Sequence, residues 1–457
     1  QIYYGRGFNL SFFGGKEGIL GPRKERLDEI SPDKPIIISD FGGNCMWLNS
    51  KALSHYNITP DRECPPGGEI QLDPDTGELW GIIRNEARGF IPYQEFTEEE
   101  NYRAMSYFQD ILLSNGYTSV FALRPPGTVE PRTTLFDSFA VLEKQGQLKL
   151  RVHGSRDMDP TGDIDAQIEE MLSIKNRVDS PLIQFTTAKF FLDGVVEGLD
   201  GYLLEPYSQE ARKGKDFRSK LFWDKEKLSY AFRRCMEAGF QIHCHSIGDG
   251  ATNEALDAME SAVALTGKKD YRNSLTHLQL VAEDDIGRMA DMDVIANVQP
   301  YWHFKSPLMF PLEKKLLGER AEKEYPLGSL MRAGVTIVAS SDYPVTPEPN
   351  PFFAIEAAVT RNLFNAESLD VEDITDMDDP RYLLDKNERI GLTDILRAFT
   401  SNAAYGRFQE KICGSLEPGK SADFIVLDRD PYDVDPLDLE NIKVLATYFK
   451  GEEVYRR

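Results

Sequence analysis

From Thr97 to Asp342 one pattern recurs along the chain: a stretch of helical periodicity, then a short apolar run that ends in polar residues. The periodicity predicts helices over Thr97–Ser114, Thr133–Gln145, Asp163–Arg177, Lys225–Ala238, Thr252–Leu265, Ala282–Met292 and Glu319–Ala333. Strands are predicted over Thr118–Leu123, Leu148–His153, Ile183–Leu192, Phe240–His245, Asn273–Gln279, Val294–Gln299 and Val335–Ser340. Strands that alternate with helices build a parallel sheet with right-handed crossovers. Seven such strands fall one short of a closed (β/α)8 TIM-like barrel, so an eighth is expected ahead of Gln1. The first hundred residues break this rhythm. They carry a strand at Pro35–Ser39, a helix start at Asn49–Leu53 and a hairpin bounded by Pro65–Gly68 and Asp73–Gly77, which read as an inserted α+β lid segment.

In such a barrel, chemistry is done at the carboxyl ends of the strands. Lys189, His245, His277 and Asp342 come from four different strands, each at or near that end. His243 and His245 are two apart and so share a face of their strand. Neutral imidazoles suit zinc, iron or manganese, and a carboxylate adds a hard ligand that also serves as a base toward water. An ammonium cannot bind a cation. Lys189 therefore belongs in this group only if it is deprotonated, converted to a carbamate, or directed at substrate. Taken singly, each residue has an ordinary explanation, such as a snorkelling lysine or a turn aspartate ahead of Pro344. Jointly those explanations are improbable.

Charge narrows the partners. With 52 basic against 75 acidic residues the formal charge is −23, which argues against nucleic acid and anionic membranes and favours a soluble protein; the expected partner is a small-molecule substrate. Five cysteines in no metal-binding spacing point to a reducing, cytoplasmic setting. No apolar run approaches the roughly 20 residues that span a bilayer. A homodimer is compatible with all of this.

Several motifs resemble those of the amidohydrolase superfamily, in particular its YtcJ-like and AepA-like metal-dependent hydrolases. Lys189-Phe190-Phe191-Leu192-Asp193-Gly194 is similar to the fourth-strand lysine motif, His245-Ser246-Ile247-Gly248-Asp249 to an HAIGD element, and Thr276-His277 to the sixth-strand histidine. Gln299-Pro300 and Ser341-Asp342-Tyr343-Pro344 resemble the seventh and eighth strand ends. The run from Gly414 to Asp423 resembles the exit into a small β-sandwich domain. The resemblance implies three parts: a lid segment over 1–96, inserted between the first and second barrel strands, a hydrolase barrel over 97–408, and the C-terminal part of the sandwich over 409–457. It also implies one or two divalent ions, zinc first, held by a carbamate on Lys189 with His245 and His277. Asp342 would be both a metal ligand and the catalytic proton shuttle. The family's first-strand His-x-His pair has no match here, and Asn44 stands where related sequences carry a histidine.

Lesser signals complete the reading. His153 at a strand end, His303 just past Pro300, His243 and Asn44 are substrate-binding candidates, with His243 also a candidate outer partner of the metal. Asp249 is expected to cap the helix that starts at Gly250. The expected activity is hydrolysis of an amide or N-acyl carbon–nitrogen bond. The alternative is a catalytically silent binding or regulatory relative that lacks the first-strand ligands.

Overall fold

The computed structural model describes residues 2–8, 13–40, 45–65, 68–92, 97–123, 135–178, 180–211 and 213–457. Two compact units are present, one drawn from the described residues before Thr97 and one from Thr97 onward. In the first, strands β1 (Tyr3–Phe8), β2 (Ile36–Asp40), β3 (Cys45–Leu48), β4 (Glu69–Leu72) and β5 (Leu79–Arg84) form a sheet in the order β1-β2-β3-β5-β4. Only β1 and β2 run parallel; the remaining pairs are antiparallel. Asn49 ties this unit together. Its side-chain oxygen accepts from Ile36 and Ala52, and its amide donates to Ser31 and Lys34, so a fully buried side chain is satisfied on both ends.

The second unit holds seven parallel strands: β6 (Ser119–Ala122), β7 (Arg151–Asp157), β8 (Ile183–Phe191), β9 (Gln241–Ser246), β10 (Ser274–His277), β11 (Ile295–Val298) and β12 (Ile337–Ala339). They pair in sequence order, as expected of the sheet of a TIM-like barrel. The sheet is curled. His243 of β9 meets the ring of Phe121, three strands away on β6, at 4.9 Å, and the hydroxyls of Tyr117 and Tyr301 are 3.3 Å apart. Among the described residues neither β6 nor β12 has a second strand partner.

Side-chain alternation explains why these strands hold. On β8 and β9 the outward residues Phe190, Ile242 and Cys244 are fully buried, and Phe190 packs on Trp223 and Phe232 of the surrounding layer. Burial of each such side chain contributes about 1.5–3 kcal/mol. The inward residues Lys189, Gln241, His243 and His245 are polar and also buried, which is an expensive lumen unless they have partners or a function.

Two expected elements differ. The strand expected to end at His153 runs on to Asp157, because the alternation of buried polar residues in Arg151-Val152-His153-Gly154-Ser155-Arg156-Asp157 carries no apolar signal. The helix expected over Glu319–Ala333 is broken into a 3-10 turn at Gly318–Lys323 and a helix at Leu327–Arg332. Pro326 lies between them, and a proline has no N–H to continue a helix.

After the barrel, β13 (Phe424–Leu427), β14 (Val444–Phe449) and β15 (Glu452–Arg456) form an antiparallel sheet outside it. Thr447 anchors this sheet by donating to the Leu113 carbonyl at 2.7 Å. Among the described residues no helix is long and apolar enough to cross a membrane.

Candidate active site

The register of β7, β8 and β9 stacks the polar lumen in rows. Asp157, Lys189 and His243 lie side by side in one row, and Phe191 and His245 in the next. Thr276 pairs with His245, and His277 follows as the last residue of β10. There the backbone turns left-handed, with φ 76° at His277 and 54° at Leu278, which redirects the imidazole toward its neighbour. The rings of His245 and His277 are 4.6 Å apart. Phe191 lies 5.3 Å from His245, and Trp302 stacks on His277 at 5.5 Å. Asp342, three residues past β12, is also left-handed at φ 54° and lies within electrostatic reach of Lys189. Left-handed non-glycine residues are costly and concentrate at functional sites.

Hydrogen bonds orient both histidines. Nδ1 of His245 is 3.2 Å from Asp193 Oδ1, and Nδ1 of His277 is 2.8 Å from Gln299 Oε1. The Gln299 amide nitrogen reaches Ser340 at 2.8 Å, with Thr276 and Asn297 farther off, so its oxygen faces His277. In each ring Nδ1 donates and Nε2 keeps its lone pair.

Electrostatics favour uncharged forms. Burial, reinforced by Lys189, holds both imidazoles well below the usual histidine range. Burial also pushes Lys189 down to about 8, against the pull of Asp157, Cys244, Asp342 and Asp193. Its nitrogen lies 4.5 Å over the Phe191 ring.

A model of the amidohydrolase family matches residues 16–455. The chain belongs to the amidohydrolase family. Protein LONG AFTER FAR-RED 3 of Arabidopsis thaliana is 29% identical over 456 residues, covering 99% of this chain and 73% of the relative. N-substituted formamide deformylase of Arthrobacter pascens is 25% identical, covering 95% and 76%. An uncharacterized metal-dependent hydrolase from Pyrococcus horikoshii OT3 has the same fold, with TM-score 0.69 at 24% identity over 95% of this chain and 78% of that one.

Amidohydrolase membership implies a metal, and the residues present fit one ion. Among the described residues no three His, Cys, Asp or Glu side chains cluster closely enough to hold a cation. Lys189 lies one inward row from His245, and a lysine nitrogen binds a metal only after losing its positive charge. Two adjoining imidazoles with Nδ1 taken up by Asp193 and Gln299, within electrostatic reach of a buried lysine, fit the donor chemistry of a metal site.

Of the other candidates, His243 shares the row of Lys189, while His153 and His303 are buried at other positions. His243 is fully buried, with Nδ1 2.7 Å from Ser274 Oγ and Nε2 without a partner among the described residues. His153 sits mid-strand in register with Phe121, and burial with Arg407 and Arg151 pushes it down to about 3. His303 is 1% exposed and stacks on Tyr325 at 4.6 Å. Asn44 lies outside the described residues.

Sequence reasoning missed three contributors: Asp193 and Gln299 as partners of the histidines, and Asp157 opposite Lys189. Asp193 carried the best signal, a lone acid between an apolar strand and a glycine. Asp249 also differs from expectation. The cap of helix Asp249–Thr266 is Gly248, without a side-chain bond, and Asp249 instead accepts from Leu204 at 2.8 Å.

Gly248 is required by a close approach. Its backbone is extended, with φ −80°, so any residue suits its torsions, but a Cβ would lie 1.9 Å from the Tyr202 carbonyl oxygen. Gly248→Ala is expected to displace the segment around Tyr202 and destabilise the barrel by about 1–3 kcal/mol, as overpacking does. Urea unfolding checks this, and a midpoint unchanged from the parent would refute it.

Proposed function

We infer that the protein is a metal-dependent amidohydrolase that cleaves a non-peptide carbon–nitrogen bond of an amide or N-acyl compound. The observation that carries this reading is the paired commitment of His245 Nδ1 to Asp193 and His277 Nδ1 to Gln299, which leaves the Nε2 atom of each adjoining ring for another partner, with buried Lys189 within electrostatic reach of both. Lys189, His245 and His277 would hold the first ion, with Asp342 beside them. A divalent ion there supplies Lewis-acid polarisation of the acyl carbonyl and acidifies water.

The chain's own residues supply the rest. Burial keeps a fraction of Lys189 as free amine at neutral pH, the form whose nitrogen adds to carbon dioxide with loss of one proton to give a carbamate. That reaction replaces a cation with an anionic oxygen donor. Asp342 takes the proton of the attacking water and delivers it to the leaving nitrogen as the C–N bond breaks. Phe191 and Trp302 wall the two histidines and restrict water around them. The relative named N-substituted formamide deformylase is, by its name, directed at such a bond.

The test is amine release from N-substituted formamides, N-acyl amines and matched esters, using protein loaded with zinc or manganese and protein stripped by a chelator. Release from amides that requires the metal is expected. Turnover unaffected by chelation, or turnover of esters with no amide cleaved, would overturn the reading.

A further inference from the structure

The geometry points to Asp193 as a positioning residue for His245: its carboxylate sets the imidazole tautomer and joins the ring to the turn that opens the next helix. This assignment rests on the proposed role of His245 as a metal ligand.

Asp193 is 1% exposed and follows β8 by two residues. Its Oδ1 receives His245 Nδ1 at 3.2 Å and the Ile247 N–H at 3.1 Å. Its Oδ2 receives the Gly248 N–H at 2.8 Å and the Tyr202 N–H at 3.0 Å. Three of these four partners are backbone amides, which can only donate. Both oxygens are thereby held as acceptors, and Nδ1 of His245 is left to donate. Burial pushes the Asp193 carboxyl up to about 7, and the Gly248, Ile247 and Tyr202 N–H groups, with Lys189, pull the other way by favouring the accepting carboxylate.

The same carboxylate fixes more than the ring. Tyr202 is gripped from both sides, its N–H by Asp193 and its carbonyl by the Ala251 N–H at 3.2 Å. Leu204 is held by Asp249, and Gly194 donates to the Asp200 carbonyl. The loop between Gly194 and Leu204 is therefore stitched to the turn that carries His245, with Asp193 at the joint. His277 has no equivalent, since its partner Gln299 is a neutral amide bonded to other side chains. The two histidines are thus oriented by different means, one by a carboxyl group that also organises backbone and one by an amide network.

Asparagine cannot replace this group. With its oxygen toward His245, its NH2 faces the Tyr202 and Gly248 donors; flipped, the NH2 faces His245 and Ile247. The test uses metal-free protein with ¹⁵N-labelled histidine, where ring nitrogen shifts report the tautomer of His245, and its resonance is assigned by loss in His245→Gln. In the parent protein His245 is expected as the Nδ1–H form. In Asp193→Asn that form should give way to the Nε2–H form or a mixture. Divalent-metal affinity should fall about 10–100-fold, as loss of an outer partner does, while the His277 resonances stay put. A parent spectrum with His245 as Nε2–H overturns the assignment without any variant. So does an Asp193→Asn protein whose tautomer and metal affinity both match the parent, even if its stability falls. These readouts do not depend on turnover, so an inactive protein with the expected tautomer would count against the proposed reaction and not against Asp193.

Discussion

Lys189→Ala is expected to abolish retention of divalent metal and to reduce amide hydrolysis by more than the roughly 10–100-fold that loss of an outer partner costs. The argument is about donors. His245 and His277 adjoin, but two imidazoles alone are fewer than the three protein ligands of a typical catalytic zinc site. Among the described residues no other His, Cys, Asp or Glu completes a trio, so the lysine position supplies what is missing. Stability should move the other way. Lys189 is 2% exposed, and burying an ammonium is costly, so Lys189→Met, which fills the same space without charge, should fold at least as stably as the parent and remain metal-free. A short carboxylic acid added to Lys189→Ala should enter the space vacated by the side chain and restore part of the metal. Elemental analysis decides the matter, and unchanged metal content in Lys189→Ala would rule the role out.

The barrel was legible because its outward strand residues are apolar and its helices amphipathic, a pattern that survives without any knowledge of pairing. Strand order followed from the same alternation. The interior was harder to read. Along Arg151–Asp157 every inward residue is polar, so the end of the strand, and with it Asp157 opposite Lys189, left no trace in hydropathy. Spacing identified the strands that carry His245 and His277, but not which nitrogen of each faces the lumen. That depends on Asp193 and Gln299, which reach the rings only through tertiary structure. Left-handed backbone at His277 and Asp342 was equally invisible, since neither is a glycine. Gly248 and Asp249 invited a reading as a helix cap. In the structure both serve the loop around Tyr202 and Leu204, a contact made across more than forty residues of sequence.

At the opposite end of β7 a second polar joint governs stability, and Asp423→Ala is expected to cost about 3–5 kcal/mol, the penalty for leaving a buried charge without its partner. Arg151 opens β7, and its guanidinium pairs with Asp423 with both side chains only 5% exposed. Ser421 accepts from Arg151 at 2.9 Å and donates to Asp423 at 2.8 Å, and the Lys450 N–H donates to the same carboxylate. The ring of Phe449 lies 4.8 Å beneath the guanidinium. The joint thus fastens the C-terminal sheet to the barrel. Removing the acid alone strands the guanidinium, whereas Arg151→Met combined with Asp423→Leu removes both charges and should recover most of the loss, since well-packed apolar pairs often match or exceed a buried ion pair. Urea unfolding of the two variants separates these cases: a midpoint for Asp423→Ala close to the parent, or a double variant no better than the single one, would show that the pair does not hold the sheet. Activity per folded molecule should be unchanged in both. Six residue steps of about 3.3 Å separate Arg151 from Asp157 at the end of β7, which puts the joint roughly 20 Å from the row that holds Lys189. In a barrel of this kind the amino-terminal face carries stability and the carboxyl-terminal face carries chemistry, so damage at one end should leave the other intact.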